Sequence, residues 1–246
     1  MSLTIHERIK LTMYNVTVIF TKHKEVGICN SIELCRILEK IRPEIIFEEL
    51  SDVTYDEVYN IECLVTLESK AVRRYLQNHE VEHIPVDTFE RPRNYDRNVN
   101  MMYKSIFNTI GKDTYEFKAL LNNQISLVNK YGFQFLNSDH NDEIVEKISW
   151  FEEKILNSKN NERLLSIARL RNEIIDKRED EILDKVYEYS YQNKYEQGVL
   201  FIGSGHRKTI IRKINHRSKI IDKDLIKWKY FDNLNLNNEE LLIHYD

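Results

Sequence analysis

Apolar residues run along this chain in two rhythms. Short runs rich in β-branched and aromatic residues stand at 16–20, 45–47, 81–86 and 199–202. They are four to eight residues long or shorter and bounded by polar positions, which reads as buried strands. Elsewhere apolar residues return every three or four positions, the rhythm of amphipathic helices. After His23 a loop containing Gly27 leads to Asn30-Ser31, which are N-cap residues, with Glu33 in the first helical turn. Ile32, Leu34, Cys35, Leu38 and Ile41 give that helix a broad apolar side, and Pro43 ends it. Strand, helix and strand over 16–47 form a β-α-β unit, which predicts two parallel, adjacent strands.

The pattern continues with an acidic stretch at 51–62, loop-like or weakly helical, a helix over 64–78 and a strand at 81–86. From 92 onward the composition changes. Arg91–Arg97 is a polar link, and helical spacing covers 101–110, 115–131, 142–156 and 162–192. The run at 199–202 returns to the sheet, a helix opens at Gly203, and Ile220-Ile221 with 226–231 suit an edge strand or a docking segment. The Asn-rich tail from Asn233 reads as a loop and a final short element. The expected fold is α/β: one domain over 1–246, with a mostly parallel sheet built from β-α units in 1–91 and 196–246. A large helical insertion, about 92–195, packs over one side of it as a cap. No Gly/Ser-rich linker frames the insertion as a separate domain.

Composition narrows the function classes. Only 6 Gly and 3 Pro in 246 residues favour long helices. A formal charge of −4 argues against a nucleic-acid binder working through a basic surface. The basic stretches at Arg207-Lys208 and from Arg212-Lys213 to Lys223 read as a solvated face. Cys29, Cys35 and Cys63 form no CxxC pair and read as reduced thiols. No apolar run approaches the about 20 residues of a membrane span, and none of signal-peptide length stands before Tyr14. The expected location is the cytoplasm.

Ligands of an open parallel sheet bind in the crevice outside the carboxyl ends of its strands. Polar side chains stand at those exits: His23, the Glu48/Glu49 pair, Asp87, and His206 at the end of Gly203-Ser-Gly-His206. Imidazole with carboxylate suits acid–base work and divalent-metal ligation alike. Side chains alternate along a strand, so one of Glu48 and Glu49 enters the crevice, and Glu49 is the first choice. Arg178 falls on the apolar stripe of its helix with Ile174, Ile175, Ile182, Leu183 and Val186, where a cation needs an anionic partner. The plain alternatives are a surface His23, a solvated glutamate pair, Asp87 as a turn residue, and Arg178 in a salt bridge with Glu173 or Glu181. Lys208-Thr209 suggest a phosphate loop, but Arg207 stands where that motif needs Gly.

These residues resemble the TraB/PrgY and TIKI group, related to the erythromycin-esterase-like and ChaN-like proteins. The likeness lies in His23 after a strand, Glu49-Leu50 closing the next one, Lys177-Arg178-Glu179-Asp180 on a helix, and Gly203-Ser-Gly-His206. The first motif departs, with Phe20 where the group has Gly. The resemblance implies an α/β core with helical insertions and three classes of activity: metal-dependent proteolysis, ester hydrolysis and haem binding. It leads to the expectation of a peptide or ester hydrolase acting on a small-molecule or peptide substrate. His23, Glu49 and His206 would hold a divalent metal (Mn²⁺, Co²⁺ or Zn²⁺) or a water directly. Glu49, Glu48 or Asp87 would serve as base, and Arg178 would stabilise the oxyanion. Two alternatives stand beside it: an inactive binding protein that meets a protein partner through its helical cap, and a phosphate-ligand binder using the helix after Gly205.

Overall fold

The computed structural model describes residues 13–88, 91–220 and 225–231. The expectations for the segment before Met13 and for the Asn-rich tail lie outside them. β1 (Tyr14–Thr21) is followed by α1 (Ser31–Ile41), β2 (Ile45–Glu48), α2 (Asp52–Tyr55, continuing as one π-turn to Asn60), α3 (Leu67–Tyr75) and β3 (Glu82–Pro85). The insertion then supplies α4 (Tyr95–Phe107), α5 (Lys112–Leu136), α6 (Asp139–Ser158) and α7 (Glu162–Gln192). β4 (Gln197–Gly203), a single 3-10 turn at Ser204–His206, α8 (Arg207–Ile220) and β5 (Ile226–Tyr230) complete the order. Local chemistry sets the helix ends as the sequence implies. The Asn30 side chain accepts from the Ile32 and Glu33 amides at 3.1 and 3.0 Å, and Arg42 takes the left-handed C-cap position.

The five strands are parallel, in the order β3-β2-β4-β1-β5. β1 and β2 are therefore parallel but not neighbours, because the chain returns from the insertion and lays β4 between them. Burial accounts for this placement. β4 is apolar from Gly198 to Ile202 and buried throughout that stretch, so it suits the central position of the sheet. Gly198 admits the crossing of neighbours there: a Cβ would lie 3.1 Å from Ile45 and 3.2 Å from Tyr195.

The insertion does not lie over one side of the sheet but straddles it. On one face, Val128, Phe133 and Leu136 of α5 and Ile144 of α6 join α1, α3, Ile19, Ile46 and Phe201. On the other, Ile182, Leu183 and Val186 of α7 pack with α8, Phe20, Phe47 and Ile202. A third cluster around Met102, Phe117, Ile155 and Leu164 ties the insertion together. The basic residues of α8 are a solvated face only in part: Lys208, Arg212 and Lys219 are exposed, whereas three others turn inward to carboxylates. Arg207 pairs with Asp139 and Asp142, Lys213 with Asp176 and Asp180, and Arg217 with Asp180 and Asp184. Acidic α6 and α7 pack beside α8, so the charges fasten helix to helix.

Candidate active site

The carboxyl ends of β2, β4 and β1 lie side by side, with Glu48 level with Phe201 and Thr21 level with Gly203. Alternation sends their exit residues to opposite faces. Glu48 leaves β2 on the α3 side, and Glu49 turns to the α7 side.

On the α7 side Glu49 anchors an ion-pair network. Its Oε2 accepts the Gly203 amide at 2.6 Å. Its Oε1 stands 3.3 Å from Arg178 Nη2 and 3.6 Å from His206 Nε2. A carboxylate holds each of these partners from behind. Arg178 donates through Nε to Asp87 Oδ1 at 2.9 Å and through Nη2 to Asp87 Oδ2, the fork geometry of a strong guanidinium–carboxylate pair. His206 Nδ1 lies 2.8 Å from Glu179 Oε1, which also accepts the Thr209 hydroxyl at 2.7 Å. The Lys185 ammonium donates to the Asp87 carbonyl at 2.7 Å, fixing α7 against the loop after β3. Burial would lower the His206 pKa, but Glu179 and Glu49 overcome it and the net shift is upward.

On the α3 side a small cleft opens beside Glu49, lined by Thr21, His23, Glu48 and Glu68 among others. It opens to solvent, and the room in it for the centres of water-sized groups is about 10 Å³. Glu68, in the first turn of α3, accepts the Thr21 hydroxyl at 2.7 Å and faces His23 Nδ1 at 3.3 Å. The hydrogen bond with Glu68 raises the His23 pKa to about 9, although the imidazole is largely exposed at the mouth. Burial opposes the charge on Glu68, yet His23 and Thr21 bring its pKa below the usual range. Glu48 is fully engaged, with His83 Nδ1 2.8 Å from Oε1 and the Tyr59 hydroxyl 2.7 Å from Oε2.

Of the residues expected from the sequence, Glu49, His206, Arg178 and Asp87 therefore form one network, and Arg178 binds Asp87 rather than Glu173 or Glu181. His23 stands on the cleft wall with Glu68, and Glu48, on the same wall, is taken up by Tyr59 and His83. The helix end after Gly203 does hold an anion, but it is Glu49. Lys208 pairs with Glu146 of α6, as Arg207 does with Asp139 and Asp142, so both cations of the phosphate reading have carboxylate partners. Two residues escaped notice as individuals, Glu179 and Glu68. Each lies on the buried stripe of its helix: Glu179 before Ile182, Leu183 and Val186, and Glu68 before Ala71, Val72 and Tyr75. An acid at an apolar position was the available signal, as it was for Arg178.

Both histidines present a carboxylate behind one ring nitrogen, the outer-shell pattern common to metal ligands. The donors do not fit a metal as they stand. Glu49 is bound by Gly203 and Arg178, and among the described residues no three His, Cys, Asp or Glu side chains converge on one point. Cys29, Cys35 and Cys63 are all free thiols, and no helix among the described residues is long and apolar enough to cross a membrane. No protein-family model, no curated protein and no solved structure matches the chain.

Proposed function

We propose that this crevice is the active site of a hydrolase for peptide or ester bonds, as the likeness to the TraB/PrgY and erythromycin-esterase-like proteins also suggests. One observation carries the reading. Glu49 Oε1 stands between Arg178 and His206 at 3.3 and 3.6 Å, while Asp87 and Glu179 hold those two partners in place. Oε2 is committed to Gly203, whereas both contacts of Oε1 are long for hydrogen bonds. Oε1 is thus the oxygen able to take a proton from an attacking water. His206, its pKa raised by Glu179 and Glu49, donates through Nε2 to the departing alkoxide or amine. Arg178 supplies positive charge for the oxyanion of the tetrahedral intermediate. No step passes through a metal, and activity is expected to persist in EDTA.

The test is hydrolysis of a panel of aryl esters and short peptide amides by the purified chain, Glu49→Gln and His206→Ala. Gln at 49 keeps an acceptor for the Gly203 amide and removes the base. Each variant is expected to lower kcat by about 10²-fold or more while folding as judged by circular dichroism. Turnover of none of the panel, or unchanged kcat in both variants, would sink the proposal.

A further inference from the structure

We infer that His23, at the mouth of the cleft, seats a carboxylate of the substrate and so sets which bonds are cut. The inference rests on the hydrolytic reading and deepens it: the preferred peptide or ester carries a free carboxylate next to the scissile bond. His23 is a strand-exit residue that the proposed chemistry leaves without a task. The first turn of α3 holds it at both ends. Its carbonyl accepts the Leu67 amide at 2.9 Å, and its Nδ1 faces Glu68 Oε1 at 3.3 Å. The Thr21 hydroxyl fixes Glu68 in turn at 2.7 Å. The ring is thus oriented before a ligand arrives, which spares binding the entropy of ordering it. An imidazolium donates from both nitrogens, so with Nδ1 turned to Glu68 the Nε2 proton is the donor left for a ligand. Glu68 holds the ring's pKa at about 9, so the charge is present at neutral pH.

Exposure decides which charge an arriving group meets. The acids of the cleft lie deep: the side chains of Glu48, Glu49 and Glu68 are 2, 8 and 9 % exposed, against 61 % for His23. Each acid is also answered from within the protein. Glu48 has His83 and Tyr59, Glu49 has Gly203 and Arg178, and Glu68 has Thr21 and His23 itself. Lys22 and Lys24 flank His23 in the chain, the first half-buried and the second exposed, while Glu25 is taken by Lys70 and Ser31. The accessible charge at the mouth is therefore positive. One N–H donor matches one oxygen of a carboxylate, and the acids behind the ring repel a phosphate dianion more strongly than a carboxylate monoanion. His23 and Glu49 line the same cleft, so a substrate anchored on His23 presents the bond beside its carboxylate to the proposed base.

The experiment joins kinetics to binding on the full chain at pH 7, for the native protein, His23→Gln and His23→Lys. O-Hippuryl-L-lactate and O-hippuryl-L-lactamide differ only in the terminal carboxylate. The native chain is expected to favour the acid by about tenfold in kcat/KM, mainly through KM. His23→Gln should bring that ratio close to one, and His23→Lys should restore the preference. In thermal shift, N-acetyl-L-alanine is expected to raise the native melting temperature, N-acetyl-L-alaninamide and matched KCl are not, and His23→Gln should lose the shift. A preference that survives in His23→Gln, a His23→Lys chain no better than His23→Gln, or a shift with inorganic phosphate as large as with the carboxylate would each overturn the inference. If His23→Gln does not fold, absence of the preference from His23→Lys overturns it. Turnover of both esters with equal kcat/KM by the native chain defeats this inference and leaves the hydrolase standing. A carboxylate-dependent shift lost in His23→Gln, without turnover of these esters or of any of the panel, supports the carboxylate seat and defeats the hydrolase.

Discussion

The His206 pKa is raised because Glu179 and Glu49 outweigh the penalty of burying an imidazolium. The sign of the linkage follows. A pKa raised on folding stabilises the fold fully below the unfolded value of about 6.5, and that stability drains away as pH climbs through the folded value. Replacing His206 with Gln should therefore cost stability near pH 6 and progressively less toward alkaline pH. Melting curves of both proteins across that range test this, and a constant gap in melting temperature would contradict it. Glu68 works in the opposite direction, its lowered pKa giving stability that is lost in acid. The key side chains were only partly legible in the sequence. Strand exits pointed to Glu49, Asp87 and His206, and stripe position pointed to Arg178. Stripe position alone does not separate a site from a structural pair: Glu152 is equally buried in α6, yet it pairs with Arg171 inside the insertion, away from the strand ends. What separates them is which helix face meets the sheet's carboxyl edge, a tertiary fact.

At the level of elements, α5 reaches the sheet because it bends. Gly132 stands at φ 55° within it, close against Ile28 and Cys29 of the β1–α1 loop, and Phe133, Phe135 and Leu136 beyond it join the core on the sheet. Gly27 in that loop is also left-handed at φ 55°, and a Cβ there would lie 2.4 Å from the Asn129 carbonyl. Gly27→Ala combines backbone strain with a clash against main chain, so a loss of at least about 1 kcal/mol is expected. Chemical denaturation measures it, and an unchanged midpoint would show that the loop can separate from α5. Most elements could be read along the chain, because periodicity and capping are local. Strand order could not. The β-α-β rule placed β2 beside β1, but the apolar, buried β4, a strand about 150 residues later in the chain, lies between them.

The whole molecule has no free-standing core beneath a removable lid. α5 and α6 close one face of the sheet and α7 the other, so residues 92–195 are structural partners of both faces. A chain in which that segment is replaced by a short Gly/Ser linker is expected to lack a cooperative thermal transition. A sharp transition with native-like strand content would instead show that the sheet folds alone. One side chain in the insertion reaches further. β5 runs alongside β1 only as far as Val18, and past that point the Asn137 amide takes over the ladder, accepting the Phe20 amide at 2.8 Å and donating to its carbonyl at 2.9 Å. Asn137 thus plugs the stretch of rim where β1 would otherwise offer bare backbone to a foreign strand. The opposite rim is the four-residue β3, which ends in Pro85. Short and proline-ended at β3, and plugged beside β1 past the end of β5, these two stretches of the margin are closed to edge-to-edge recruitment, and the insertion that completes the crevice also guards this part of β1 against aggregation.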